Sequence, residues 1–142
     1  MPQALQIETD GSVETLALPD DRTTRDQSLK ARLSGTPDPG YYHRRATMWV
    51  HDNGHREQFQ GNLVATALAC AWRGLDITYD ATYFLPGRVV VTCNDADLDL
   101  APELIAEVHV VAAAVRKLLT SGAPVAWGDI VAVSGTARQQ AG

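Results

Sequence analysis

The chain has 142 residues, with seventeen acidic side chains against twelve basic ones and a formal charge of −5. A chain of this length buries about two thirds of its unfolded surface, and 45% apolar with 20% charged residues excludes a disordered polypeptide. The acidic balance argues against bulk attraction to nucleic acid or to an anionic membrane.

Leu5 and Ile7 alternate with polar residues, Asp10-Gly11 follows, and residues 12–18 alternate again. Asp-Gly between alternating runs predicts a β-hairpin, because its turn needs positive φ. Pro19 stops the second strand. Asp20 or Asp21 can cap a helix reaching Leu33, with Gly35 expected to end it in the left-handed conformation. Its apolar stripe is only Leu29 and Leu33, so it is expected at the surface. Residues 36–40, with two prolines and a glycine, read as a loop.

A second hairpin is expected about Asn53-Gly54, with residues 44–52 going out and 55–60 returning. That register sets Met48 opposite Phe59 and Val50 opposite Glu57. It puts Trp49, His51 and Arg56 on the outward face. Asn62 is the expected N-cap of a nearly all-apolar helix over 63–72, with Gly74 ending it. Residues 77–85 suit a strand or an extended segment. Residues 88–93 read as a buried strand. Pro102 can start a helix with an apolar stripe through Leu104, Val108, Val111, Val115 and Leu118. Residues 126–133 read as a last strand.

The order ββ-α-ββ-α-β(β)-α-β predicts an α+β fold. A mainly antiparallel sheet built from hairpins packs against about three helices in two layers. One domain spans 1–142, with 134–142 a frayed tail. The longest strongly apolar stretch, 108–115, is too short to span a bilayer and contains His109. No leader is visible, which points to a soluble cytoplasmic protein with Cys70 and Cys93 reduced. The arginine-rich, alanine-rich composition is of the actinobacterial, GC-rich type.

Asp10-Gly11, Asn53-Gly54, the Asn-x-x-Ala-Thr segment at Asn62, Ala65 and Thr66, and the glycine before Val89, Val90 and Val91 form a pattern. Over residues 4–92 it resembles a family of uncharacterised proteins from phages, plasmids and bacterial genomes. The resemblance implies a mobile-element setting and carries no known activity.

Each candidate site has a plainer reading beside it. Asn62 and Thr66 open a helix whose free amides can hold an anion, so they are the candidate ligand-binding residues. Alternatively, Asn62 simply caps the helix. Tyr41, Tyr42, Arg44 and Arg45 combine aromatics with paired arginines, a pattern that can stack bases and touch phosphates. Two arginines in an acidic chain make nucleic acid the weaker expectation, and a solvated edge strand the plainer one. Trp49, with His51 and Arg56, is the candidate partner-binding patch.

His43, His51 and His55 with Cys70 could suggest a metal, but the expected register points His51 and His55 to opposite sheet faces, so they cannot chelate one ion together. Asp95, Asp97, Asp99 and Glu103 fail the calcium-loop pattern, since Leu100 stands where glycine is needed. Neither cysteine has a neighbouring base in sequence, and no nucleophile elbow or phosphate loop occurs. No cofactor or metal is expected.

The leading expectation is a non-enzymatic accessory protein that binds another protein or itself. The alternatives are a small-molecule site or enzyme near Asn62 and Thr66, and weak nucleic-acid binding through residues 41–45.

Overall fold

Val89, Val90 and Val91 are fully buried because their strand is the middle of a five-stranded sheet. The computed structural model describes residues 1–54, 56–73, 84–125, 128–130 and 132–135. Its elements are β1 (Gln3–Ile7), β2 (Val13–Ala17), α1 (Arg22–Leu33), β3 (Pro37–His43), β4 (Ala46–His51), α2 (Leu63–Arg73), β5 (Val89–Cys93) and α3 (Pro102–Thr120). The sheet order is β2-β1-β5-β4-β3, and every neighbouring pair is antiparallel. This is the α+β fold that the patterning predicts.

Strand alternation divides the core. Leu5, Ile7, Met48, Val89 and Val91 face α2 and α3, and form the larger cluster with Leu68, Val108 and Val111. Ala4, Leu16 and Val90 face the other way and meet Leu29 and Leu33 of α1. The expected layering of sheet against helices holds for the larger cluster, and α1 covers the opposite face. It must cross that face, because β2 and β3 are the two edges it connects.

The first hairpin forms as read. Its loop is Thr9-Asp10-Gly11, with Gly11 at φ 89° and Glu8 N donating to Ser12 O at 2.9 Å. The Asp10 carboxylate accepts from the hydroxyl and the amide of Ser12, which holds its pKa below the ordinary value. Asp21 caps α1 by accepting from Thr24 N at 2.9 Å. Ser34, not Gly35, is the left-handed residue that ends this helix. A side chain at Gly35 would collide with the His51 ring. That glycine serves close packing rather than helix termination.

The second hairpin is a correction. Residues 36–40 do not form a plain loop: most of them belong to β3, which pairs with β4. Its prolines are tolerated because the strand is an edge. Met48 therefore faces Gly40 and Val91, and Val50 faces Asp38. Residues 56–58 form turns, with Gln58 at φ 58°, and residues 59–60 are irregular, so no strand returns here. The reason is occupancy: β3 and β5 already fill both sides of β4. His55 lies outside the described residues, as do Gly74 and most of the 77–85 segment.

The expected strand over 126–133 is also corrected. Residues 128–130 and 132–135 are helical. Ile130, Val133 and Ser134 are buried, at helical rather than alternating spacing. Ser134, expected to begin a frayed tail, donates to Ile130 O at 2.8 Å and to Ala67 O at 3.2 Å.

Pro102 starts α3 as read, and its stripe packs on α2. One carboxylate joins that stripe: Glu107 is 6% exposed and accepts from Trp72 Nε1 at 2.9 Å. Burial raises its pKa above the ordinary value, and the indole bond offsets this in part. The native state then holds the proton more tightly than the unfolded chain. The associated stability is complete below the unfolded pKa of about 4.5 and is lost as pH rises through the raised value. Glu107→Gln keeps the acceptor and removes the charge. It is expected to raise the melting temperature at pH 7 by roughly 3 °C, with a smaller gain at pH 4. Thermal melts at both pH values check this; an equal gain at the two would contradict it.

Candidate functional site

A concave surface lies along α1, on the sheet face opposite α2 and α3. Trp49 of β4 packs against the smaller cluster and remains half-buried. Its indole N–H donates to Thr92 Oγ1 of β5 at 3.0 Å, which fixes the ring across two strands. Two open grooves meet at this ring. One, of about 410 Å³, runs past Leu18, Leu29 and Thr92 to a rim of Arg22, Asp97 and Leu98. The other, of about 530 Å³, follows α1 past Asp26 and Lys30 to Thr36 and Pro37. Trp49, Leu29, Arg22 and Asp26 border both.

Arg25 holds the first groove together. It is 7% exposed, and its guanidinium donates to Pro19 O at 3.1 Å, Asp20 O at 2.8 Å and Asp97 at 3.2 Å. These bonds tie α1 to the segment between β2 and α1 and to the loop after β5. In that loop Asp95 accepts from Asp97 N, and Leu98 N donates to Asp95 O. The turn leaves the Leu98 side chain 57% exposed at the rim. At the other end of α1, Arg32 donates to Gln6, Gln6 to Glu8, and Arg88 bridges Glu8 to Arg32 O. The helix is thus pinned at both ends.

Asn62 and Thr66 lie elsewhere. Asn62 is fully buried; its Nδ2 donates to Ile7 O and Gly87 O, both at 3.0 Å, and its Oδ1 caps Ala65 N at 3.1 Å. Thr66 donates to Asn62 O at 2.8 Å and accepts from Leu85 N at 3.0 Å. The pair clamps the start of α2 to β1 and to the segment entering β5.

Trp49 and His51 share a strand face, but His51 is turned to other work. Its Nδ1 accepts from Asn53 N at 2.9 Å, and its ring meets Phe59 edge-on at 5.0 Å. Arg56 is exposed on the following turns. The 41–45 segment is divided between surroundings. Tyr41 is exposed, whereas Tyr42 packs on the larger cluster under Arg73, 5.9 Å away. Arg45 lies 3.6 Å from Glu103, and the carbonyls of Arg44 and Arg45 accept from Asn94. Between them, His43 sits edge-on to Trp72. Burial, then the Arg45 and Arg44 charges, lowers its pKa.

The acidic residues are likewise distributed: Asp97 takes Arg25, Asp99 accepts from Gln3 N, and Glu103 pairs with Arg45. Among the described residues, no three His, Cys, Asp or Glu side chains converge as metal ligands. Nor does any described helix have the length and apolarity to cross a membrane.

Arg25 escaped the sequence reading, although a signal was present. It lies four residues before Leu29, on the stripe that continues to Leu33, and so had to be buried with them. Leu98 and Thr92 carried no such signal, because their place depends on the strand order. No family model, curated protein or solved structure matches this chain.

Proposed function

We propose that this chain is a non-enzymatic binding module, and that an extended segment of a partner protein docks along α1 across Trp49. The observation that carries this reading is the immobilised indole, shared by two open grooves. A tryptophan held by its own N–H presents a flat apolar face at little entropic cost, the usual character of an interface anchor. The grooves form an elongated, open track with an apolar floor and a rim bearing both charges. That shape suits a chain segment better than a small molecule, which needs enclosure over most of its surface. The mobile-element setting rests on the resemblance over residues 4–92. Asn62 and Thr66 take no part, since their polar atoms are committed inside the fold.

The test is a nuclease-treated pull-down from the natural host, followed by titration of the retained protein against purified variants. Leu98→Glu changes an exposed rim residue and is expected to weaken binding at least tenfold, with an unchanged melting temperature. Undiminished binding by Leu98→Glu and by Arg22→Glu would remove the groove from the interaction. A partner lost on nuclease treatment and restored by nucleic acid would favour the 41–45 segment instead.

A further inference from the structure

The two edges of the sheet differ. On β3, Asp52 N donates to Thr36 O at 3.0 Å, and the same register makes Asp38 and Gly40 the positions bonded to β4. Pro37 and Pro39 therefore face outward, where they offer no N–H, and a bulge interrupts the strand between Gly40 and His43.

On β2 the opposite holds. Glu8 N donates to Ser12 O and Leu18 N to Pro2 O, each at 2.9 Å. Both pairs continue the β1–β2 register, so Glu14 and Leu16 spend their peptide groups on β1. The N–H and C=O groups of Val13, Thr15 and Ala17 point to the free edge. None of them is hydrogen-bonded among the described residues. Neither proline, lysine nor a bulge guards this stretch, and Thr15 and Ala17 are exposed.

We infer that β2 is a self-association edge, at which two copies of this chain pair antiparallel about a two-fold axis at Thr15. The outward groups are symmetric about that residue. Val13 meets Ala17 of the second copy, Thr15 meets its own counterpart, and each pair exchanges two N–H···O bonds. On one face this sets two threonines together, a favourable cross-strand pair, with valine beside alanine. On the other face Glu14 falls beside Leu16 of the second copy, so no like charges stand directly opposite. This self-complementarity is what selects a second copy as the occupant. Five residues form a small interface, so association is weak and concentration-dependent. The edge is separate from the groove, since none of these five residues lines it.

Sedimentation equilibrium on the full chain tests the inference. The average mass is expected to rise from the 15.3 kDa of one chain toward twice that value. The range to cover is about 10 µM to about 1 mM, given so small an interface. Thr15→Pro removes an N–H that bonds nothing within one copy, and Ala17→Lys places a charge on the edge. Both variants are expected to keep the parent's melting temperature and to stay at the mass of one chain. In amide exchange, raising the concentration is expected to slow Val13, Thr15 and Ala17 and to leave Glu14 and Leu16 unchanged. A single-chain mass at every concentration would overturn the inference and leave the edge to a foreign strand. Association that survives both variants would also overturn it, by placing the contact on another surface.

Discussion

Asn62→Ala is expected to lower stability by about 3–5 kcal/mol, because it strands several buried groups at once. Gly87 O loses its side-chain donor, Ile7 O is left with its sheet bond alone, and Ala65 N loses its cap, all in a site without solvent access. A buried polar group left unpaired costs about 1–3 kcal/mol, and a lost cap about 1 kcal/mol. Against a total of about 5–15 kcal/mol, this is a large fraction of the fold's stability. Urea unfolding measures it; a loss below about 1 kcal/mol would mean that water replaces the amide.

Asn62→Asp sharpens the argument. It retains an acceptor for Ala65 N but turns a second oxygen toward two carbonyls. The ionised form is then disfavoured, so the folded pKa of the new carboxyl lies above its unfolded value. Stability relative to the parent should fall as pH rises from 4 to 7, and a pH-independent deficit would contradict this.

Leu68→Ala is expected to cost about 3–5 kcal/mol, since it empties a fully buried site between the sheet and α3. Leu29→Ala removes the same atoms from the smaller cluster. The groove on that side lets neighbours relax or water enter, so the expected cost is about 2–3 kcal/mol. Denaturant titration of both variants gives the ranking. A larger loss at Leu29 would show that α1 belongs to the main cooperative core and not to its margin.

Local chemistry made much of this molecule legible. The Asp10-Gly11 turn, the Asp21 cap, the Asn62 cap, the central valine strand and the Pro102 helix start each depend on residues a few positions apart. The misread elements share a different cause. Asn53-Gly54 carries a strong hairpin signal, yet β4 had two better neighbours: a proline-bearing edge on one side and β5 on the other. Residues 126–133 resemble a strand in composition, yet the described residues among them, 128–130 and 132–133, are helical, and Ile130 and Val133 find apolar cover in the larger cluster. The candidate site divides in the same way. Trp49 was visible as a tryptophan on a polar strand, but its groove is made by α1, Thr92 and Leu98, which are distant in sequence.

The sequence by itself determined the fold class, the first hairpin, the positions of α1, α2 and α3, and the burial of β5. Hydrophobic period, turn chemistry and caps act within a few residues of one another. Tertiary structure alone decided that β5 enters between β1 and β4, that proline-bearing β3 takes one edge and leaves β2 open on the other, and that α1 crosses the face holding Trp49. Those outcomes depend on which strands compete for a limited set of pairing partners, and that competition is resolved only when the whole sheet forms.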